Sequence, residues 1–166
     1  ALPAAPIARP PEAQSRACLS ANLDTAFFVA RAYAPALQKA RRGGSLLLFS
    51  SVAAAMGVAN HAVIAIAKAG IEGLVRSLAA DFSAGGLQVN AIAPGLMATP
   101  ATARMLSSDA ARTQIAAQYP LGRHGEAADA AGLAAWLISD QAGWLSGQVI
   151  PLDGGFSAVR PYVRNA

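Results

Sequence analysis

Residues 50–68 read SSVAAAMGVANHAVIAIAK, and their placement decides the fold. They follow Gly44-Ser-Leu-Leu-Leu-Phe49, an apolar run of the kind that forms a parallel strand covered on both faces. They lead into Ile64, Ala67, Ile71, Leu74, Val75, Leu78 and Phe82, an apolar stripe at three- and four-residue spacings. The spacing predicts a helix over about 61–84, closed by Gly85-Gly86. Polar groups at the carboxyl end of such a strand face the crevice where open α/β sheets hold their ligands. Ser50 and Ser51 occupy that end. Lys68 lies two turns into the helix, and Ile64 lies one turn before it on the same face.

Working outward, LQVNAIA at 87–93 reads as a second buried strand, ended by Pro94-Gly95, and GQVIPL at 147–152 as a third, ended by the turn Asp153-Gly154-Gly155. Residues 17–42 turn helical, with Phe27, Phe28, Ala30, Ala34 and Leu37 at helical spacing and a kink expected at Pro35. The small and polar residues after Pro100 predict one or two short helices and suit a mobile lid. Residues 126–140 predict a helix with Leu133, Trp136, Leu137 and Ile138 toward the core, and Trp144 is also read as a packing residue. Residues 1–16 read as an irregular proline-rich arm, because Pro10-Pro11 bars a helix through its middle. Residues 161–166 read as a tail. Helices alternating with strands imply one α/β domain over 17–160, with a parallel sheet covered by helices on both faces.

Composition narrows the function. The 166 residues are 54% hydrophobic and only 13% charged, so much of this surface is expected to be covered. The net charge of +4 comes from scattered arginines, which argues against a nucleic-acid stripe. No apolar run reaches the ~18 residues of a membrane span. The first residues make a poor signal peptide. A single cysteine, Cys18, excludes an internal disulfide and suits a reducing compartment, so the cytoplasm is the expected setting. No metal site is expected.

A serine at a strand end, a further position 13 residues on, and a lysine four beyond that resemble the active-site pattern of the short-chain dehydrogenase/reductase family. Ser51 and Lys68 match its serine and lysine, and Ile64 stands where the family has tyrosine. Four other segments match in order. Asn22-Leu23 is similar to the family's helix-bending asparagine. NAIAPGLMAT at 90–99 resembles the strand-end segment that meets the nicotinamide. LGRHGE at 121–126 and LSGQVIPLDGG at 145–155 resemble the C-terminal signature.

The resemblance covers about residues 22–156. It implies a Rossmann-like three-layer sheet that is incomplete, with the three strands standing for the family's fifth to seventh. The glycine-rich turn that receives the cofactor pyrophosphate, and the family's Asn-Asn-Ala-Gly segment, are not found in this sequence.

It also implies function. In active relatives the tyrosine exchanges a proton with the substrate oxygen while hydride moves to or from NAD or NADP. Lys68, with Pro94, Gly95, Met97 and Thr99, would meet the nicotinamide end of the cofactor. Ser51 would hold the substrate oxygen, and Asn22 would pass protons by way of water. With Ile64 in place no proton can be exchanged there. His61, one turn earlier, is offset toward the loop, and Tyr119 belongs to the lid region. Arg123 and His124 read as loop surface. Three readings stay open: an oxidoreductase subunit or fragment with a degenerate site, a non-catalytic subunit joined to an active partner, and a small-ligand binding module. In the family the helices matching 23–42 and 61–84 form a subunit interface, so a homo- or hetero-oligomer is expected rather than a stable monomer. An apolar strand edge with no neighbour favours association in the same way.

Overall fold

The computed structural model describes residues 6, 7 and 9–159. Among them, three parallel strands form the central sheet in the order β1-β2-β5: β1 is Gly44–Phe49, β2 is Leu87–Pro94 and β5 is Val149–Leu152. Gly44 faces Leu87 at one end of the β1–β2 pair and Phe49 faces Ile92 at the other. A short second pair, β3 (Met97–Ala98) and β4 (Gly125–Glu126), extends the carboxyl side of β2. Five α-helices flank the strands: α1 Glu12–Leu19, α2 Thr25–Lys39, α3 Ala62–Phe82, α4 Asp109–Ala116 and α5 Ala127–Leu137.

The strand alternation builds three layers. Leu46 and Leu48 of β1 pack with Val89 and Ala91 of β2 against Ala30 and Ala34 of α2 and Ile71, Val75 and Leu78 of α3. Each such leucine or valine contributes roughly 1.5–3 kcal/mol by leaving water. The opposite face of the sheet carries α5, whose Leu137 is fully buried and whose Leu137 carbonyl accepts from Ser45 Oγ at 3.4 Å. The central strand β2 is buried on both faces, with Val89, Ala91 and Ile92 at 0% exposure. Its one buried polar side chain, Asn90, is satisfied at both ends: Nδ2 donates to the Leu145 carbonyl at 2.9 Å, and Oδ1 accepts from the Gln148 N–H at 3.1 Å. That pair ties β2 to the entry of β5.

The expected parallel α/β sheet is therefore present, and the strands lie within a residue or two of their expected bounds. Several expectations need correction. The arm does not stay irregular to residue 16, because α1 begins at Glu12 directly after Pro11. A proline just ahead of a first turn costs nothing, since that N–H has no helical partner anyway. The interruption between α1 and α2 falls at Ser20–Asp24, a π-helical turn, while α2 runs continuously through Pro35 on an exposed face. Of the four apolar residues at 133, 136, 137 and 138 expected in the core, only Leu137 is buried. Trp136 is 39% exposed, Ile138 is exposed, and Trp144 stands fully in solvent at 101%. Hydrophobicity placed these side chains inside, but in this chain no element covers that flank among the described residues. The tail 161–166 and the first residues of the arm lie outside the described residues.

Candidate functional site

Two clusters of polar residues form at the carboxyl ends of the strands. The first joins β1 to α3. Ser50 closes β1: its backbone N–H donates to the Ile92 carbonyl at 2.8 Å, and its side chain is 3% exposed. Its hydroxyl donates to Glu72 Oε1 at 2.8 Å and lies 3.3 Å from the Lys68 carbonyl. Ser51, with extended backbone, caps a short 3-10 turn over Val52–Ala54, accepting from the Ala53 N–H at 3.2 Å. Lys68 reaches back from α3, and its Nζ donates to the Phe49 carbonyl at 2.9 Å. Burial presses this ammonium below the ordinary lysine value, and the nearby Cys18 sulfur pulls it part of the way back. Ile64, half-buried on α3, brings no titratable group.

Asn22 lies in the π turn, and its Nδ2 donates to the Cys18 carbonyl at 2.9 Å. A π turn leaves backbone acceptors out of the regular ladder, and the asparagine amide serves one of them. So Asn22 is tied to Cys18, whose sulfur acts on Lys68, while Lys68 and Glu72 meet the end of β1 at Phe49 and Ser50. His61 precedes α3, with Nδ1 2.6 Å from the Ala59 carbonyl, which assigns the ring proton to Nδ1 and ties the ring to the loop.

The second cluster lies at the ends of β2 and β5. A cleft of about 90 Å³ is lined there by Gly95, Leu96, Tyr119, Arg123, His124 and Asp153 among others. Gly95 has no room for a side chain, because a Cβ would stand 2.9 Å from the Tyr119 ring and 3.2 Å from Asp153 Cα. The Tyr119 hydroxyl accepts from the Leu96 N–H at 2.7 Å, and its ring lies 5.0 Å from that of Phe156. Burial pushes this phenol above its ordinary value, which the Leu96 N–H offsets in part. Asp153 accepts from the N–H groups of Gly155 and Ser157 at 3.0 and 2.9 Å, which shapes the turn after β5. Arg123 grips Asp129 through two bonds, at 2.7 and 2.9 Å. That grip, helped by the Glu126 N–H, draws the Asp129 carboxyl down to about 2.

Of the residues expected to meet a nicotinamide, Pro94 and Gly95 lie at this second end. Met97 is buried in β3, where its side chain would touch a Cβ at Gly125. Thr99 is engaged by Thr102, whose hydroxyl lies 3.0 Å from both its nitrogen and its hydroxyl. Arg123 is loop surface as expected, but His124 is not, with only 17% of its side chain exposed. Sequence reasoning passed over Glu72, although its spacing of four from Lys68 was a signal, and over the tie between Asn22 and Cys18, which depends on a π turn that carries no sequence period.

Comparison with known proteins fits this geometry. Residues 2–157 match the protein family described as Enoyl-(Acyl carrier protein) reductase. The chain is 38% identical over 141 residues to 3-oxoacyl-(acyl-carrier-protein) reductase FabG of Salmonella typhimurium, covering 85% of this chain and 57% of that protein. It superposes with a TM-score of 0.89 and 31% identity on a putative 2-deoxy-D-gluconate 3-dehydrogenase of Agrobacterium tumefaciens with bound NADP, covering 96% of this chain and 65% of that one. A putative NAD(P)-dependent gluconate 5-dehydrogenase of Beutenbergia cavernae, also with NADP, gives 0.89 at 33% identity, covering 95% and 63%. The chain thus spans little more than half the length of the curated relative. No helix among the described residues is long and apolar enough to cross a membrane.

Proposed function

The chain belongs to the short-chain dehydrogenase/reductase family, and from that premise we propose that it is an oxidoreductase-type subunit or fragment whose own proton relay is broken at Ile64. One observation carries the proposal. Ser51 at the end of β1 and Lys68 on α3 match the family's serine and lysine in the sequence, and the position one turn before Lys68 holds an aliphatic side chain. A phenol with a pKa of ~10 must be lowered by a neighbouring cation before it can exchange protons near neutrality. Here the cation is kept and the phenol is not.

The residues fit the nicotinamide end of NAD or NADP in part. The Lys68 ammonium and the Thr99 hydroxyl are donors suited to ribose hydroxyls and a carboxamide, although each already has a protein partner, Phe49 and Thr102. Nothing among the described residues offers the glycine-rich strand-to-helix turn that suits a pyrophosphate. When bound, the nicotinamide would supply or accept the hydride. This chain's own share would be the Ser51 hydroxyl toward a carbonyl or alcohol oxygen and the Lys68 charge beside it. Absorbance of reduced nicotinamide with a panel of ketones and alcohols tests the proposal. We expect no turnover by this chain alone, and steady consumption at the rate of an active relative would overturn it.

A second reading, a non-catalytic subunit that packs on an active family member or on its own copy, is favoured by the α2–α3 face. A shallow groove of about 430 Å³ runs there between Leu23 and Phe27 on one side and Gly70, Gly73 and Leu74 on the other. Phe28 is 58% exposed beside it, and among the described residues nothing stands within 4 Å of where a Gly73 Cβ would be, so an absent side chain there leaves room for another helix. Sedimentation with an intact-mass inventory of the purified material tests this reading, which a compact solitary monomer would defeat. The cytoplasm remains the proposed setting, on the single cysteine.

A further inference from the structure

We propose that Ser50 and Glu72 are positioning residues for Lys68: the Ser50 hydroxyl holds the Glu72 carboxylate away from the Lys68 ammonium and so keeps that ammonium turned to the end of β1. The proposal rests on Lys68 being the lysine of the inherited site, and it adds two side chains to that site.

Lys68 and Glu72 are four residues apart on α3, the spacing at which opposite charges on a helix meet. No ion pair joins them among the described residues. Each is instead taken by one of two consecutive residues at the end of β1: Lys68 Nζ by the Phe49 carbonyl, and Glu72 Oε1 by the Ser50 hydroxyl. Ser50 cannot drift from this post, because it is buried and its own N–H is fixed to Ile92. A buried hydroxyl must find an acceptor. It has the Lys68 carbonyl at 3.3 Å and the carboxylate at 2.8 Å, and the charged acceptor makes the stronger bond.

The other groups around the ammonium leave Glu72 as the one carboxylate within a helical turn. From α1 the Cys18 thiol faces it, with the Asn22 amide bonded to Cys18. From β1 it meets the Phe49 carbonyl, and the adjacent Ser51 hydroxyl is engaged with Ala53. Removing the Ser50 hydroxyl therefore releases the one carboxylate within a helical turn of Lys68 among the described residues.

The sequence holds just two lysines, Lys39 and Lys68, so side-chain NMR of the labelled protein, with any partner chain unlabelled, follows Lys68 directly with Lys39 as the internal reference. Ser50→Ala should raise the Lys68 pKa by about one unit as Glu72 swings across to it, while Lys39 stays put. The double variant Ser50→Ala with Glu72→Gln should show no rise. A rise that survives in the double variant, or none in Ser50→Ala, would overturn the proposal. Should Ser50→Ala fail to fold, Glu72→Gln alone decides: Lys68 should stay within a few tenths of a unit, and a fall of about one unit would mean the carboxylate already acts on it. The titration needs no nicotinamide, so a failure to bind cofactor would count against the family-derived function and leave this result standing.

Discussion

The two strand ends that flank the crevice are built on opposite plans. At the ends of β2 and β5 the parts interlock: Gly95 is pressed on Tyr119 and Asp153, Tyr119 holds the Leu96 N–H, and Asp153 shapes its own turn. At the end of β1 the long side chains reach across elements to single partners, and Phe49 remains 44% exposed. The first arrangement is a clamp, whose residues are used up in holding the fold. The second brings an ammonium, a carboxylate and a buried serine hydroxyl near one another, held by polar contacts across elements rather than by an interlocked turn, which leaves them suited to chemistry. Close packing and chemical readiness are thus divided between neighbouring strands.

That division can be broken from either side. The largest effect is expected at the β1 end, in material that contains the whole nucleotide-binding layer. There Ile64→Tyr should raise carbonyl-reducing turnover by roughly a hundredfold or more, the usual worth of a positioned acid. Unchanged turnover with cofactor bound would mean that Ser51 and Lys68 no longer form a working pair. At the β2 end, Gly95→Ala should cost about 1–3 kcal/mol in denaturant unfolding, since its Cβ would meet the Tyr119 ring at 2.9 Å. A wild-type midpoint would show that the clamp yields.

Smaller is Tyr119→Phe, which strands the Leu96 N–H and should cost about 1–2 kcal/mol at neutral pH. Because the folded phenol titrates above its ordinary value, its contribution is whole below pH 10 and fades as pH climbs through the raised value. The variant should therefore converge on wild type in strong alkali, and a constant gap would refute the assignment. Smallest is Asp129→Asn. The carboxylate titrates at about 2 when folded, so its help is complete above its unfolded value and is lost as pH falls toward 2. Melting curves should differ by a few degrees at pH 7, draw together as pH falls, and coincide only below pH 2. A difference that persists in acid would assign the effect to something other than the charge.

Sequence alone reached the parts of the fold that carry a period. The stripe on α3 was legible because Ala67, Ile71, Val75 and Leu78 all turn inward, and β1 and β2 because strands covered on both faces read as unbroken apolar runs. It missed what depends on surroundings. Trp136 and Trp144 are apolar but uncovered, and no local pattern reports what lies beside a helix. The π turn at Ser20–Asp24 inserts a residue without a sequence signature. β3 and β4 are two residues each, too short to alternate. At the candidate site, Ser51, Lys68 and Ile64 stood out through their resemblance to a family pattern, whereas Glu72 gained meaning only once the Ser50 hydroxyl was seen to point at it.

One feature of β1 reaches past the site. Gly44 and Ser50 both send their amides to β2, toward Gly86 and Ile92, so the strand's alternate amides, at Ser45, Leu47 and Phe49, aim away from it, where no strand lies among the described residues. In heavy water those three would surrender their protons early while the interleaved ones hold theirs, and β2, flanked on both sides, would exchange slowly along its paired length. A tooth-and-gap pattern of deuterium along six residues would mark the border where this chain stops supplying its own neighbours.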